Sequence, residues 1–250
     1  MSDTLTVIRI DHICHLVQIG DATVMTDPWF SFTATYDPGE RGALTVDELP
    51  HLDAVVITHE HYDHCDLDAL AGYRDRSVPV IAPNTVVDAA RAHGFTDVRA
   101  IEAWDGVEVG DLTVSAAPGK HGVHEVTYVI QGGDRSVYFG GDTLCIPQLG
   151  ELPDRFGRFD LALLPVNGLC VRPANGMQVV MNAHEAAELT SVLKPAVAVA
   201  HHYAFSSGWL GDRMITKGDR DPRRFADAAA ELAPETTVRI TLPGQPVVVS

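Results

Sequence analysis

The chain has 250 residues, of which 46% are hydrophobic, and its 34 acidic and 18 basic residues give a formal net charge of −16. This length suits one α/β domain spanning residues 1–250, and no apolar run is long enough for a transmembrane helix, so we expect no membrane insertion. Because nucleic acids and anionic membranes bind basic faces, the charge argues against both as main partners.

The first half of the chain alternates short apolar runs with turns, which is typical of strands. One run, at residues 54–57, is continuously apolar and ends directly before a group of histidines. We predict strands over residues 6–10, 16–19, 23–25, 54–57 and 78–82, a helix over 85–92, and hairpin-rich strands over 107–117 and 126–141.

The second half continues the alternation with helical segments between the strands. Ala and Leu recur at helical spacing over residues 183–193, Asn182 is a suitable N-cap, and Pro195 stops the pattern. We predict helices over 183–193 and 222–232, and strands over 161–166, 196–200, 237–241 and 246–249. Together the two halves predict an α/β fold in which two sheets lie between helices.

The strongest chemical signal is the segment Thr58-His59-Glu60-His61-Tyr62-Asp63-His64, which has the pattern H-x-H-x-D-H. Imidazole and carboxylate groups are ligands of zinc, iron and manganese. Alternation along an extended segment places His59 and His61 on one side, and Asp63 and His64 then turn the other way. One loop can therefore serve two neighbouring metal ions. Cys65 follows directly, and we interpret it as a small buried residue rather than a ligand.

Further ligand candidates occur downstream, each in a loop or at the end of a predicted strand. His121 and His124 lie in one loop, Asp142 follows the Gly140-Gly141 pair, and His201 and His202 end the strand at 196–200. Residues at the ends of strands are where α/β proteins usually place their sites.

This set of motifs resembles the metallo-β-lactamase superfamily, and the resemblance spans nearly the whole chain. It implies an αββα sandwich of two mixed sheets flanked by helices, with the metals at one edge of the sheets. Within the superfamily, the sequences of four segments are most similar to the subgroup that contains ascorbate-phosphate lactonases and N-acylphosphatidylethanolamine phospholipase D-like proteins. These segments are Thr26-Asp27-Pro28-Trp29, Gly141-Asp142-Thr143, Leu164-Pro165-Val166-Asn167-Gly168 and Ala183-His184-Glu185-Ala186-Ala187.

The resemblance also implies a ligand set. One metal would be held by His59, His61 and His121, the second by Asp63, His64 and His202, and Asp142 would bridge the two. His124 is the alternative to His121, and His201 is the alternative to His202. Because adjacent residues of a strand point to opposite faces, only one of His201 and His202 should reach the metals. Asp27 would support the metal-binding loop without binding metal.

Several other polar residues near predicted loop ends are open to two interpretations. They would contact substrate or stabilise an oxyanion, or they would make ordinary loop contacts. These residues are Lys120, Asn167, His184 and Tyr203.

The sequence therefore predicts a metal-dependent hydrolase with two divalent transition-metal ions, zinc being favoured over manganese or iron. A shared water would attack an ester, lactone or phosphodiester of a small molecule. Asp63 and Asp142 are the predicted catalytic residues: Asp142 would hold the metals together, and Asp63 would orient the water or accept its proton. The acid at position 142, where β-lactamases carry Cys, argues against antibiotic hydrolysis. The alternatives are a di-iron oxidoreductase or oxygenase, an RNA- or DNA-processing nuclease, and a binding protein with a vestigial site.

The sequence also carries predictions about compartment and assembly. The amino terminus lacks the basic and apolar stretches of a secretory signal, and the four cysteines are scattered. We therefore expect a cytoplasmic protein with free thiols. A homo-oligomer is compatible with the sequence.

Overall fold

The computed structural model describes residues 4–33 and 36–250. Residues 1–3, on which the prediction about a secretory signal partly depends, lie outside the described ranges. The strands are β1 (Leu5–Asp11), β2 (Cys14–Ile19), β3 (Ala22–Thr26), β4 (Ala54–Val56), β5 (Val80–Ala82), β6 (Val98–Ala100), β7 (Gly106–Val109), β8 (Leu112–Pro118), β9 (Val126–Gly132), β10 (Arg135–Phe139), β11 (Leu161–Pro165), β12 (Leu169–Val171), β13 (Met177–Gln178), β14 (Val197–His201), β15 (Ile215–Lys217), β16 (Thr237–Arg239) and β17 (Pro246–Val249). The helices are α1 (Leu67–Leu70), α2 (Asn84–Ala92), α3 (Leu152–Phe156), α4 (Ala183–Leu193), α5 (Gly208–Met214) and α6 (Arg223–Leu232).

Two seven-stranded mixed sheets form the centre of the molecule. The first has the order β17-β1-β2-β3-β4-β5-β6, antiparallel as far as β3 and parallel from β3 to β6. The second has the order β16-β14-β11-β10-β9-β8-β7, antiparallel from β7 to β10 and parallel beyond. Each sheet thus presents carboxyl ends of parallel strands along one edge.

The two sheets pack face to face through alternating apolar side chains. Val56, Tyr128 and Phe139 belong to the buried cluster between the sheets. A second cluster joins α2 to the outer face of the first sheet, and a third joins α4 and α6 to the outer face of the second. The layers are therefore helix, sheet, sheet, helix, and the predicted αββα sandwich is confirmed.

Helix α4 shows how closely local sequence determined one element. Asn182 precedes it, and its side-chain oxygen accepts hydrogen bonds from the backbone N–H groups of His184 and Glu185. The helix ends at Leu193 and is followed by Lys194 in a left-handed conformation. The predicted helix and its N-cap are confirmed.

A small third sheet was not anticipated by the sequence analysis. It has the order β13-β12-β15, all antiparallel, and α5 packs beside β15. Its strands contain only two or three residues, too few for an alternating pattern to be recognised. No helix within the described ranges combines the length and the apolar character that crossing a membrane requires.

Candidate metal centre

The candidate ligands meet at one edge of the sandwich because each follows the carboxyl end of a strand. Asp27 comes directly after β3, and His59 begins a loop that follows β4 after two residues. Asp142 follows β10 after a Gly-Gly pair, and His202 directly follows β14. Parallel neighbours bring these ends together, so residues far apart in the sequence become neighbours in space.

A first group of three histidines, His59, His61 and His121, lies close together at this edge. His59 Nε2 lies 2.9 Å from His61 Nδ1, and His121 Nε2 lies 3.3 Å from the same atom. The Nδ1 of His121 lies 2.8 Å from the carbonyl oxygen of Val179, which leaves its Nε2 directed at the group. Burial is the largest cause that lowers the pKa of all three histidines, so they hold the neutral form that binds metals.

A second group contains Asp63, His64 and His202, together with His12. Each residue offers one ligand atom, these atoms lie within 4.8 Å of one another, and all four residues are buried. Asp63 Oδ2 lies 3.7 Å from His64 Nε2 and 3.4 Å from His12 Nε2. The geometry of this group suits a second metal ion.

The carboxylate of Asp142 lies between the two groups. Its Oδ2 is 3.0 Å from His202 Nε2, 3.3 Å from His64 Nε2 and 3.8 Å from His121 Nε2. The residue before Asp142 has to be glycine. The φ of Gly141 is +55°, and a Cβ there would lie 2.6 Å from the buried carboxylate of Glu125. The Gly-Asp pair is therefore required by geometry as well as by chemistry.

Asp27 holds the histidine loop from behind. Its Oδ1 accepts a hydrogen bond from the backbone N–H of Thr58 at 2.8 Å, and its Oδ2 accepts one from the hydroxyl at 2.6 Å. The same Oδ2 lies 2.7 Å from His64 Nδ1. This contact leaves His64 Nε2 free to face the other members of the second group. Asp27 thus has the position expected of a residue that orients a metal ligand.

The buried polar atoms of the cluster fit a metal centre. His64 Nε2 and Asp142 Oδ1 are buried and have no hydrogen-bond partner among the described residues. Burial alone lowers the pKa of His64, but the carboxylates of Asp142 and Asp63 together raise it well above its usual value. Burial raises the pKa of Asp142, and His202 and His64 reverse this and hold it well below normal. A carboxylate so stabilised as an anion is a suitable ligand for a divalent cation.

The centre also concentrates unusual backbone conformations. Positive φ values occur at His12 (+22°), Asp27 (+31°) and His202 (+59°), which are three of the six non-glycine residues with this feature in the described ranges. Residues held in this region are energetically costly and tend to occur at functional sites.

Comparison with known proteins identifies the family. The model of the beta-lactamase superfamily domain matches residues 22–203, which is most of the chain. The chain belongs to the metallo-β-lactamase superfamily.

Similar proteins match most of the chain. A protein of Methanopyrus kandleri named as a metal-dependent hydrolase is 26% identical, over 94% of this chain and 96% of its own length. A metallo hydrolase of the archaeon Ignicoccus hospitalis has a similar structure, with a TM-score of 0.77 and 21% identity over 99% of both chains. A diiron β-hydroxylase of Streptomyces venezuelae has a TM-score of 0.74 and 21% identity, over 99% of this chain and 54% of its own. These structural likenesses show the superfamily fold.

Within this superfamily fold, the geometry separates the two pairs of rival histidines. His124 lies on the surface, with half of its side chain exposed, and its Nε2 is 2.7 Å from Glu102 Oε2. His201 is buried on the other side of β14, where its ring lies 5.3 Å from that of His15 and 5.7 Å from that of Phe139. His121 and His202 therefore belong to the cluster, whereas His124 is a surface residue and His201 a packing residue.

The remaining candidates lie away from the cluster or serve the local structure. The hydroxyl of Tyr203 accepts a hydrogen bond from buried Arg9 at 3.0 Å, and Asn167 Oδ1 accepts one from the backbone N–H of Leu169 at 3.1 Å. Lys120 and His184 have exposed side chains. No side-chain hydrogen bond or ion pair joins any of these four residues to a ligand candidate in the described part of the chain. Burial raises the pKa of the Cys65 thiol to about 12, so this residue is a poor ligand.

Two buried residues of the centre were missed by the sequence analysis. His12 lies in the turn between β1 and β2, with its ring 4.4 Å from that of His202. Glu125 precedes β9, and its Oε1 accepts a 2.6 Å hydrogen bond from the backbone N–H of Asp142 and lies 3.5 Å from His59 Nδ1. A lone His or Glu beside a strand has no distinguishing pattern, and only the tertiary structure reveals these contacts.

A cavity of about 340 Å³ opens over the two groups. The polar part of its lining consists mainly of ligand candidates: His61, Asp63, His121, Asp142 and His202. The apolar part of the lining, called the apolar wall below, comes largely from the third sheet and contains Leu169, Val171, Met177, Val179 and Ile215. This volume is at the lower end of the range for small-molecule sites.

Proposed function

We propose that this metal-dependent hydrolase of the metallo-β-lactamase superfamily uses two divalent transition-metal ions to cleave an ester, lactone or phosphodiester of a small molecule. The observation that carries the proposal is the presence of two ligand groups on either side of one carboxylate, Asp142. His59, His61 and His121 would hold one ion, and Asp63, His64 and His202 the other. The cavity over these residues supports a small molecule as the substrate.

Two ions bound at this centre would lower the pKa of a shared water to near neutrality and polarise the substrate oxygen. The protein's own contribution is to fix the ligands and to manage the proton. Asp63 Oδ2 accepts a 2.9 Å hydrogen bond from the hydroxyl of Tyr36, and both residues line the cavity, so this bond fixes the carboxylate there. Asp63 is thus suitably placed to orient the attacking water and to accept its proton.

Three neighbouring groups would orient the imidazoles in this proposal. Asp27 lies against Nδ1 of His64, the carbonyl of Val179 against Nδ1 of His121, and Thr58 Oγ1 is 3.0 Å from Nδ1 of His59. Each contact favours the tautomer in which Nδ1 carries the proton and Nε2 is free. Preorganisation of this kind reduces the cost of binding metal.

The test combines metal analysis with isotope labelling. The purified protein should hold two ions per chain, and His61→Ala and His202→Ala variants should each hold one. Hydrolysis should proceed without oxygen and place one ¹⁸O atom from labelled water in the acid product. A metal content of one per chain in the parent protein would contradict the dinuclear proposal.

The di-iron alternative is a second candidate because imidazole and carboxylate ligands also accept iron. The likeness to the diiron β-hydroxylase of Streptomyces venezuelae concerns the fold. The same experiment separates the two functions: turnover that requires oxygen, with ¹⁸O incorporated from labelled O₂, would replace the hydrolase proposal with an oxygenase.

A further inference from the structure

We infer that the substrate is an uncharged carboxylic ester or lactone whose acyl part is apolar, and that the third sheet selects it. This inference rests on the proposed hydrolase function and narrows its substrate class. It starts from the lining of the cavity, which combines the polar ligand candidates with the apolar wall.

The apolar wall is a continuous part of the hydrophobic structure. Leu169, Val179 and Phe205 belong to one buried cluster with Trp29, and Val171 and Ile215 pack against it. A wall supported in this way is preorganised, so hydrocarbon placed against it gains contact without much rearrangement. Met177, which is 53% exposed, extends the wall toward the cavity mouth.

The charged groups near the wall do not offer an anion-binding site. No Lys or Arg is among the described residues that line the cavity. The nearby Lys217 has only 2% of its side chain exposed, and its Nζ donates hydrogen bonds to the carbonyl of Phe205 at 2.7 Å and to Asp212 Oδ1 at 2.8 Å. Its charge is therefore already paired by Asp212.

The remaining polar group of the cavity is also occupied. The hydroxyl of Tyr36 donates to Asp63, so beyond the ligand candidates the cavity offers mostly hydrocarbon. A neutral ester places its one polar group at the metal end and its carbon chain against the wall. A phosphodiester keeps a negative charge on the reacting group, and a charged acyl chain would have to be desolvated against valines and leucine.

The volume of the cavity suits a small acyl group. At about 30 Å³ for each water-sized group, 340 Å³ corresponds to about eleven such groups.

The reaction is a hydrolysis in which the water oxygen bonds to the carbonyl carbon and the bond from that carbon to the leaving oxygen breaks. One water proton goes to the leaving alkoxide, which gives a carboxylic acid and an alcohol, or a hydroxy acid from a lactone.

The test uses p-nitrophenyl esters, which share one leaving group, on protein loaded with two metal ions per chain. Because each buried CH₂ contributes about 0.8 kcal/mol, kcat/KM should rise about fourfold per added CH₂ from the acetate to the butyrate ester. The valerate ester should exceed the hemiglutarate ester, which differs by a terminal carboxylate, by at least about tenfold. Bis(p-nitrophenyl) phosphate should be the poorest substrate of the set.

A matched pair of variants locates the selectivity. Val171→Thr replaces a methyl group of the wall by a hydroxyl of similar size, and it should reduce the butyrate-to-acetate ratio of kcat/KM by roughly threefold to fourfold. Val248→Thr makes the same change at a residue that is 65% exposed on β17, and it should leave the ratio unchanged.

Four outcomes overturn the inference. Faster turnover of the phosphodiester than of any ester, or equal turnover of the hemiglutarate and valerate esters, would leave the hydrolase function standing and reject the apolar ester. An unchanged ratio in the Val171→Thr variant would reject selection by the third sheet. Absence of hydrolysis of the whole set by the loaded protein would reject the proposed function itself, and the inference with it.

Discussion

The Nδ1 atom of His64 lies 2.7 Å from the Oδ2 atom of Asp27, and both side chains are fully buried. The same Asp27 carboxylate accepts two hydrogen bonds from Thr58, the residue before His59. One acid thus sets the position of two ligand candidates that would serve different metal ions. This coupling makes Asp27 a sensitive point for testing how the centre is built.

We expect Asp27→Asn to weaken metal binding about 10- to 100-fold. Thr58 and His64 contact both oxygens of the Asp27 carboxylate, and an amide would replace one of these acceptors by an NH₂ group that can only donate. The measurement is a competition titration against a chromogenic chelator. Asp53→Asn is the matched control, since Asp53 accepts a 2.7 Å hydrogen bond from the backbone of Thr23, outside the candidate ligand groups. Equal affinities in the Asp27→Asn variant and the parent protein would contradict the orienting role.

The choice between His121 and His124 gives a direct comparison within one loop. We expect His121→Ala to reduce affinity for one of the two ions by more than about 100-fold, since it removes a ligand and not only a residue that orients one. We expect His124→Ala to retain both ions, because His124 contacts Glu102 at the surface. Calorimetric titration with zinc would show two binding steps in the second variant and one in the first. The reverse pattern would assign the ligand to His124.

Removal of metal should lower thermal stability measurably. An ion present at about 100 times its Kd stabilises the folded state by about 2.7 kcal/mol, if it binds only that state. For a chain of this size, about 2 to 4 °C per kcal/mol gives a decrease in Tm of about 5 to 11 °C for each ion removed. Scanning calorimetry before and after dialysis against a chelator measures the change, and re-addition of zinc should restore it. A Tm that is indifferent to the chelator would argue against ions bound at the cluster.

Asp11 should make the stability of the metal-free protein depend on pH. Its carboxylate is fully buried without a hydrogen-bond partner in the described ranges, and burial raises its pKa well above the usual value, although Arg9 opposes this. The folded state therefore keeps a proton that the unfolded state releases above about pH 4. Stability from this residue is complete below that pH and is lost as the pH rises toward the folded pKa, at up to about 1.4 kcal/mol per pH unit.

The corresponding experiment compares variants by urea unfolding from pH 4 to pH 8 in the presence of a chelator. Asp11→Asn cannot ionise, so its stability relative to the parent protein should increase as the pH rises. Asp111→Asn, at an exposed turn, should follow the parent protein at every pH. Parallel curves for Asp11→Asn and the parent protein would show that the Asp11 carboxyl titrates normally.

Much of the fold could be predicted because its signals are local. The helix Ala183–Leu193 has a capping residue, a periodic apolar face and a proline that stops it, and all three lie within a few residues. The His59–His64 loop likewise places four candidate ligands in one short segment. Such patterns depend little on the rest of the chain.

The remaining features depend on contacts between distant segments. His12 reaches the centre only because the turn between β1 and β2 lies at the same edge as the end of β14, which brings its ring beside that of His202. His121 is distinguished from His124 by a contact with the carbonyl of Val179, 58 positions further along the chain. The third sheet consists of strands too short to give a periodic signal. No local pattern carries this information.

The backbone at His12, Asp27 and His202 has a consequence for laboratory evolution of this enzyme. Each residue holds a positive φ that costs of order 1 to 3 kcal/mol for a residue other than glycine. Glycine would remove this cost and would also remove the imidazole or carboxylate. Because all three side chains are buried, glycine would also leave a cavity, and at Asp27 it would leave the hydrogen-bond donors of Thr58 unpaired. Selection for heat resistance alone would therefore not enrich glycine at Asp27, although the backbone there would be relaxed by it. A screen that retains catalysis must keep these three residues and their positive φ values.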